Sequence, residues 1–176
     1  MPRTPYAIEQ AALNFSTTAG AATPVAANAV GNFEGDPSAN LTWASATWRG
    51  QDRFAAHAIM HDAEGSATIP RFSFDSSEVM AKFIDGTNTG ATTLHGGGAA
   101  ATEVKITKNS KPLMGEFLLE GTLANSSPLK VQVLFHKAFI TGLSPTFSGG
   151  DFAATDLNLV LMQDAAGDVI SVFHGT

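Results

Sequence analysis

From residue 41 onward, apolar and polar positions mostly alternate with a period of two, which predicts β-strands. Thr42, Ala44 and Ala46 alternate against Trp43, Ser45 and Thr47. Two further runs, Arg53 to Met60 and Ala67 to Phe74, flank Asp62-Ala63-Glu64-Gly65, which reads as a hairpin turn. The second half reads as an antiparallel meander with strands Glu103 to Thr107, Leu113 to Thr122, Leu129 to Ile140, Phe152 to Met162 and Val169 to Phe173. Turn-forming residues separate them at Lys108-Asn109-Ser110-Lys111, Asn125-Ser126-Ser127-Pro128 and Asp164-Ala165-Ala166-Gly167-Asp168. In the strand from Leu129, the pattern puts Leu129, Val131, Val133, Phe135 and Phe139 on one face and Lys130, Gln132 and His136 on the other.

Three segments depart from this period. Asp75-Ser76-Ser77-Glu78 has the form of a helix start, an oxygen-bearing cap with a Glu three positions on. After it, Val79 with Phe83 and Met80 with Ile84 stand four apart on one stripe, and Gly86 is a suitable stop, so one short helix is expected. Residues 86–101, GTNTGATTLHGGGAAA, show no period and read as a long loop that a partner would order. Residues 1–40, punctuated by Pro2, Pro5, Pro24 and Pro37, read as an irregular arm with one strand at most, laid across a neighbour or loosely held. The expectation is therefore a mainly β chain, an antiparallel β-sandwich or rolled sheet with one short helix and a long loop, forming a single domain over residues 1–176.

Composition narrows the function. With 10 Lys plus Arg against 16 Asp plus Glu the net charge is -6, which argues against neutralising a phosphate backbone but suits a surface past which DNA slides without sticking. Charged residues make up only 15%, and twelve Phe stand against one Tyr and two Trp, so some surface is expected to meet protein. No cysteine is present, so neither disulfides nor thiolate metal sites are expected, consistent with a cytosolic setting. The N-terminus has no apolar core of signal-peptide length, and no stretch approaches the ~18 apolar residues of a membrane span; neither export by that route nor a membrane location is expected.

Candidate chemistry is thin. His57 and His61 are four apart, but in a strand that spacing separates them by about 13 Å, too far for one metal. His95 sits beside Gly96-Gly97-Gly98 without the strand-to-helix turn or Lys-Ser/Thr ending of a phosphate loop. His136 lies on a polar strand face and His174 near the C-terminus. No Gly-x-Ser-x-Gly elbow is present, and spacing alone leaves open a Ser/His/Asp triad assembled by folding. Asp62 and Glu64 could pair as glycosidase carboxylates but fit better as turn formers, and Asp164 to Asp168 lacks the ligands of a calcium loop. No catalytic residue, metal, cofactor or small-molecule substrate is expected.

The run Phe139-Ile140-Thr141-Gly142-Leu143-Ser144-Pro145, then Phe147-Ser148-Gly149-Gly150-Asp151-Phe152-Ala153 and Leu157-Asn158-Leu159-Val160-Leu161, resembles the tail tube proteins of long-tailed bacteriophages. The stretch from Lys111-Pro112-Leu113 to Leu129-Lys130-Val131 and the single helix at 76–85 are similar to the same family, as are tube components of contractile injection machines. The resemblance implies a β-sandwich or rolled-sheet core that ends in a terminal hairpin. It implies self-assembly into six-membered rings stacked as a DNA-carrying tube, joined to other tail proteins in a virion tail built in the host cytoplasm. On that reading the 86–101 loop and the 1–40 arm bridge subunits, with Thr87, Asn88, Thr92, Leu94, His95, Phe147 and Phe152 as suspected assembly contacts. Two alternatives differ in class. A β-sandwich binding module, such as a capsid decoration or carbohydrate-binding domain, would use Trp43, Trp48 or Tyr6 for stacking, and a small β-fold hydrolase would need a constellation that spacing does not show.

Overall fold

The computed structural model describes residues 8–49, 55–74, 79–85, 88–93, 97–123, 130–142, 146–148 and 151–175. In chain order the elements are β1 (Ile8–Ser16), β2 (Ala29–Phe33), β3 (Ser38–Arg49), β4 (Ala55–Phe74), α1 (Met80–Phe83), β5 (Ile84–Asp85), β6 (Asn88–Thr93) and β7 (Ala100–Lys105). They continue with β8 (Lys111–Pro112), β9 (Gly115–Leu123), β10 (Lys130–Gly142), β11 (Thr146–Ser148), β12 (Asp151–Leu161) and β13 (Ile170–His174).

Six strands close on themselves in the order β1-β2-β4-β12-β10-β9, every neighbour antiparallel, so the rolled sheet is an antiparallel barrel. Closure removes the edges that an open sheet would present. Its interior is filled from every wall: Leu13 and Phe15 from β1, Val30 and Phe33 from β2, Ile69 and Phe72 from β4, Phe117 and Leu119 from β9, Phe135 and Ile140 from β10, and Leu157, Leu159 and Leu161 from β12. The single-turn helix α1 adds Val79 and Phe83, whose ring stacks on Phe117 at 5.9 Å and meets Phe15 at 5.2 Å. Lys82 ties the turn to the chain before β2 by donating to the carbonyls of Ala27 and Ala29. The stripe of Val79 and Phe83 thus lies inward as the spacing predicts; the expected cap at Asp75 to Glu78 lies outside the described residues.

Of the five register shifts among the barrel pairings, three shift which residues face inward. On β2, Val30 is the extra residue between the pairs Leu13↔Gly31 and Asn14↔Ala29. On β4, Pro70 and Arg71 stand opposite Asp156, with Arg71 at φ 45 and its N–H donated to the Asp156 carboxylate. On β10, His136 and Lys137 stand opposite Glu116. Each bulge switches the inward set from one parity to the other. That corrects the sequence reading of Phe139: Phe135 faces inward, but after the bulge Ala138 and Ile140 do, and Phe139 leaves the core face.

Other expectations also change. Residues 8–16 and 29–33, inside the stretch read as an irregular arm, are barrel strands, because Ala11, Leu13 and Phe15 alternate inward and Val30 and Phe33 close over them. Asp62 to Gly65 is no turn: β4 runs unbroken for 20 residues and its hairpin partner is β3. Gly65 is there for contact, since a Cβ would lie 2.8 Å from Leu41 and 2.9 Å from Leu161. The terminal hairpin is absent as well. β13 pairs with β10 over Val131–Phe135, on the edge of β10 that β12 occupies from Ala138 onward. The meander of β9, β10 and β12 stands as predicted.

Candidate assembly surfaces

Two ribbons leave the barrel. The first is β3 with the leading part of β4: β12 pairs with β4 only from Gly65 to Ser73, so among the described residues β4 is held by β3 alone from Ala55 to Glu64. The second is β6 with β7, a two-stranded sheet of its own, registered from Asn88↔Lys105 to Thr93↔Ala100. Its base is pinned by Ile84↔Pro112 and Asp85↔Lys111 and by the Leu113 amide on the Phe83 carbonyl. The aperiodic 86–101 stretch therefore contains one strand and the start of another. Small Thr, Ala and Gly side chains suffice there because neither face of the ribbon is covered: its described side chains are exposed except the half-buried Ala101 and Val104.

Four of the suspected contact residues lie on described strands of two strand pairs. Asn88 and Thr92 lie on β6, opposite Lys105 and Ala101, with Thr92 exposed. Phe147 lies on β11 and Phe152 on β12, where Thr146↔Ala154 and Ser148↔Asp151 make the pairing. Thr87, Leu94 and His95 lie outside the described residues, as do the side chains of Asn88, Phe147 and Phe152. His57 and His61 sit on β4 opposite Trp48 and Ala44, with their side chains also outside the described part.

The outer face of the barrel carries one polar cluster that spacing did not reveal. Between β12 and β13 the chain makes an outward loop, entered at the Met162 amide on the Lys137 carbonyl and left at the His136 amide on the Val169 carbonyl. Asp164 Oδ1 accepts the amides of Ala166 and Asp168. The Asp168 amide, opposed by partial desolvation and helped by the Ala166 amide and His136, holds the Asp164 carboxyl below its ordinary value. His136 Nδ1 lies 3.5 Å from Asp164 Oδ2, and its Nε2 is 2.7 Å from Ser171 Oγ on β13.

Serine, histidine and aspartate thus stand in the order of a hydrolytic triad. Two features weigh against that chemistry. The His136 to Asp164 separation of 3.5 Å is long for a hydrogen bond, and the adjoining cavity of about 230 Å³ is lined by His136, Lys137, Asp164, Glu116 and Met114 but not by Ser171. His136, Asp164 and Asp168 also offer donor atoms within 4.8 Å of one another. Both imidazole nitrogens and both Asp164 oxygens already have partners, so these contacts make a clasp that pins the loop and β13 to β10. A similar fastening lies nearby: buried Glu116 accepts the amides of Gly20 and Ala22 and holds the loop after β1.

No family model matches the chain, and no curated protein matches it. Among solved structures it is similar to one described as the cryo-EM structure of the anti-feeding prophage cap, a tube terminating cap. The TM-score is 0.48 at 13% identity, over 98% of this chain and 93% of that one. A likeness this distant carries no argument about role.

Proposed function

We propose that this chain is a structural subunit that assembles with copies of itself into stacked, six-membered rings, forming the tail tube of a long-tailed phage through which DNA passes. The observation that carries this reading is a closed barrel from which two ribbons project with strand edges unpaired among the described residues. A barrel that has abolished its own edges has no internal need for ribbons; unpaired edges on them are groups that a neighbour satisfies. The resemblance of residues 139–161 to tail tube proteins supports the same reading, and the net charge of -6 suits a channel that does not grip DNA. On this account Thr87, Asn88, Thr92, Leu94, His95, Phe147 and Phe152 are contacts between subunits, the other partners are tail proteins at the tube ends, and the protein performs no catalysis.

Light-scattering mass over a concentration series tests this, with residues 88–105 replaced by a short turn in a second variant. Growth to multi-subunit mass by the full chain, lost in the shortened one while its circular dichroism is retained, is expected. Equal behaviour of the two would remove the ribbon from the account. A second reading has one observation in its favour: the Trp43 side chain is 56% exposed, as a sugar-stacking ring would be. Quenching of Trp43 fluorescence by an oligosaccharide, abolished in Trp43→Ala, would favour that reading.

A further inference from the structure

Beyond the level at which β12 closes the barrel, β4 and β10 extend without it. β12 stops at Leu161, paired to Gly65 of β4 on one side and Ala138 of β10 on the other. Below that level both flanking strands go on, β4 back to Ala55 and β10 back to Lys130. β13 resumes the line of β12 beside β10, running in the direction of β12, yet among the described residues it has no pairing with β4. Two strand edges therefore border one gap: β13 from Ile170 to His174, and β4 from Ala55 to Glu64. Val172 shows the consequence. Its register partner Val133 packs against the core, but Val172 itself is 68% exposed, and Phe173 beside it is 49% exposed. An open groove of about 660 Å³, lined by Phe139, Val160, Met162 and Glu64, lies where β12 ends.

Native sheet edges are guarded by Lys, by Pro or by inward charge. Over most of their length these two are not: Ile-Ser-Val-Phe on β13 and Ala-Ala-His-Ala-Ile-Met on β4 contain no Lys, Arg, Asp, Glu or Pro, and the acidic Asp62 and Glu64 stand only at the end of the β4 edge nearest β12. Ala55 to Met60 and Ile170 to Phe173 can bury each other without desolvating an ion. We propose that the seam is the contact between copies: the β4 edge of one copy pairs with the β13 edge of the next. Each copy then presents one donor edge and one acceptor edge, which is a head-to-tail contact. Such a contact repeats around a ring when the rotation closes, whereas β13 pairing with β13 would stop at a dimer. This rests on the self-assembly reading and names the strands through which it operates.

The chain has no cysteine, so introduced ones report without background. Val172→Cys is combined in separate chains with Ala56→Cys, Ala58→Cys and Met60→Cys, which covers alternative registers, and each is oxidised mildly at a concentration where assemblies form. The expected result is a ladder of covalent multimers for at least one pair, taking up most of the monomer band. Single variants give no species beyond a dimer. A fast-migrating monomer with an internal disulfide in all three pairs would mean that each arm closes on its own β13, and overturns the proposal. Rings seen by electron microscopy with no ladder in any pair would also overturn it while leaving the assembly reading intact. Neither rings nor ladder at any concentration would overturn both.

Discussion

Replacing Phe15 by alanine separates a barrel that includes the N-terminal strand from a core that begins near residue 41. Phe15 is 4% exposed and sits opposite Phe117 in the β1–β9 register, with ring centroids 4.7 Å apart, and Phe83 lies 5.2 Å from it. Removing a buried Phe side chain costs about 3–5 kcal/mol, more where the cavity cannot collapse. Here β1 is hydrogen-bonded on both sides, by β2 and β9, so the walls are held apart and the upper half of that range applies. For a chain of this length such a loss lowers Tm by on the order of 10 °C. The Phe15→Ala, Phe117→Ala double-mutant cycle should return a coupling of about 1 kcal/mol, the part belonging to the ring pair itself. Urea unfolding of the four chains, with exposed Val25→Ala as a control expected within about 0.5 kcal/mol, supplies the numbers. If Phe15→Ala matches the Val25→Ala control, residues 8–16 are not part of the core and the barrel as described is wrong.

Three further outcomes are expected. Gly115→Ala places a Cβ 2.3 Å from the Ser16 carbonyl oxygen and 2.7 Å from the Phe15 ring, so it should destabilise by roughly 1–3 kcal/mol, whereas Gly90→Ala on the exposed ribbon meets nothing within 4 Å and should be near neutral; equal melting temperatures would refute the packing. The Asp164 carboxyl is held below its ordinary value chiefly by the Asp168 amide, so the loop's anchoring is complete above the unfolded pKa of about 3.9 and is lost as pH falls through the lower folded pKa. Carbon-detected NMR should show Asp164 titrating below the ordinary aspartate value together with the Asp168 amide shift, and a normal or raised midpoint would contradict the clasp. A fluorophosphonate probe should leave Ser171 unmodified; labelling that vanishes in Ser171→Ala would revive the hydrolase alternative.

What the sequence made legible follows from where burial is one-sided. β9, β10 and β12 each bury one face in the barrel, and their period-two patterns placed them within a residue or two of their observed ends. β1 carries the same signal in Ala11, Leu13 and Phe15, but an Ala- and Thr-rich stretch flanked by prolines reads as irregular. Gly65 illustrates the opposite error, since a glycine beside acidic residues suits a turn, and only the approach of Leu41 and Leu161 shows that it serves close packing. The bulge at His136 and Lys137 is invisible to a periodicity count, and with it went the orientation of Phe139 and the meeting of His136 with Asp164 and Ser171. The β6–β7 ribbon has no apolar period because none of its described side chains is buried.

Self-assembly is the claim on which the functional account stands. Negative-stain electron microscopy of the purified protein across a concentration series addresses it most directly. The account predicts rings with a central channel that stack into tubes as concentration rises. Isolated monomeric particles at every concentration, with the fold intact, would contradict it.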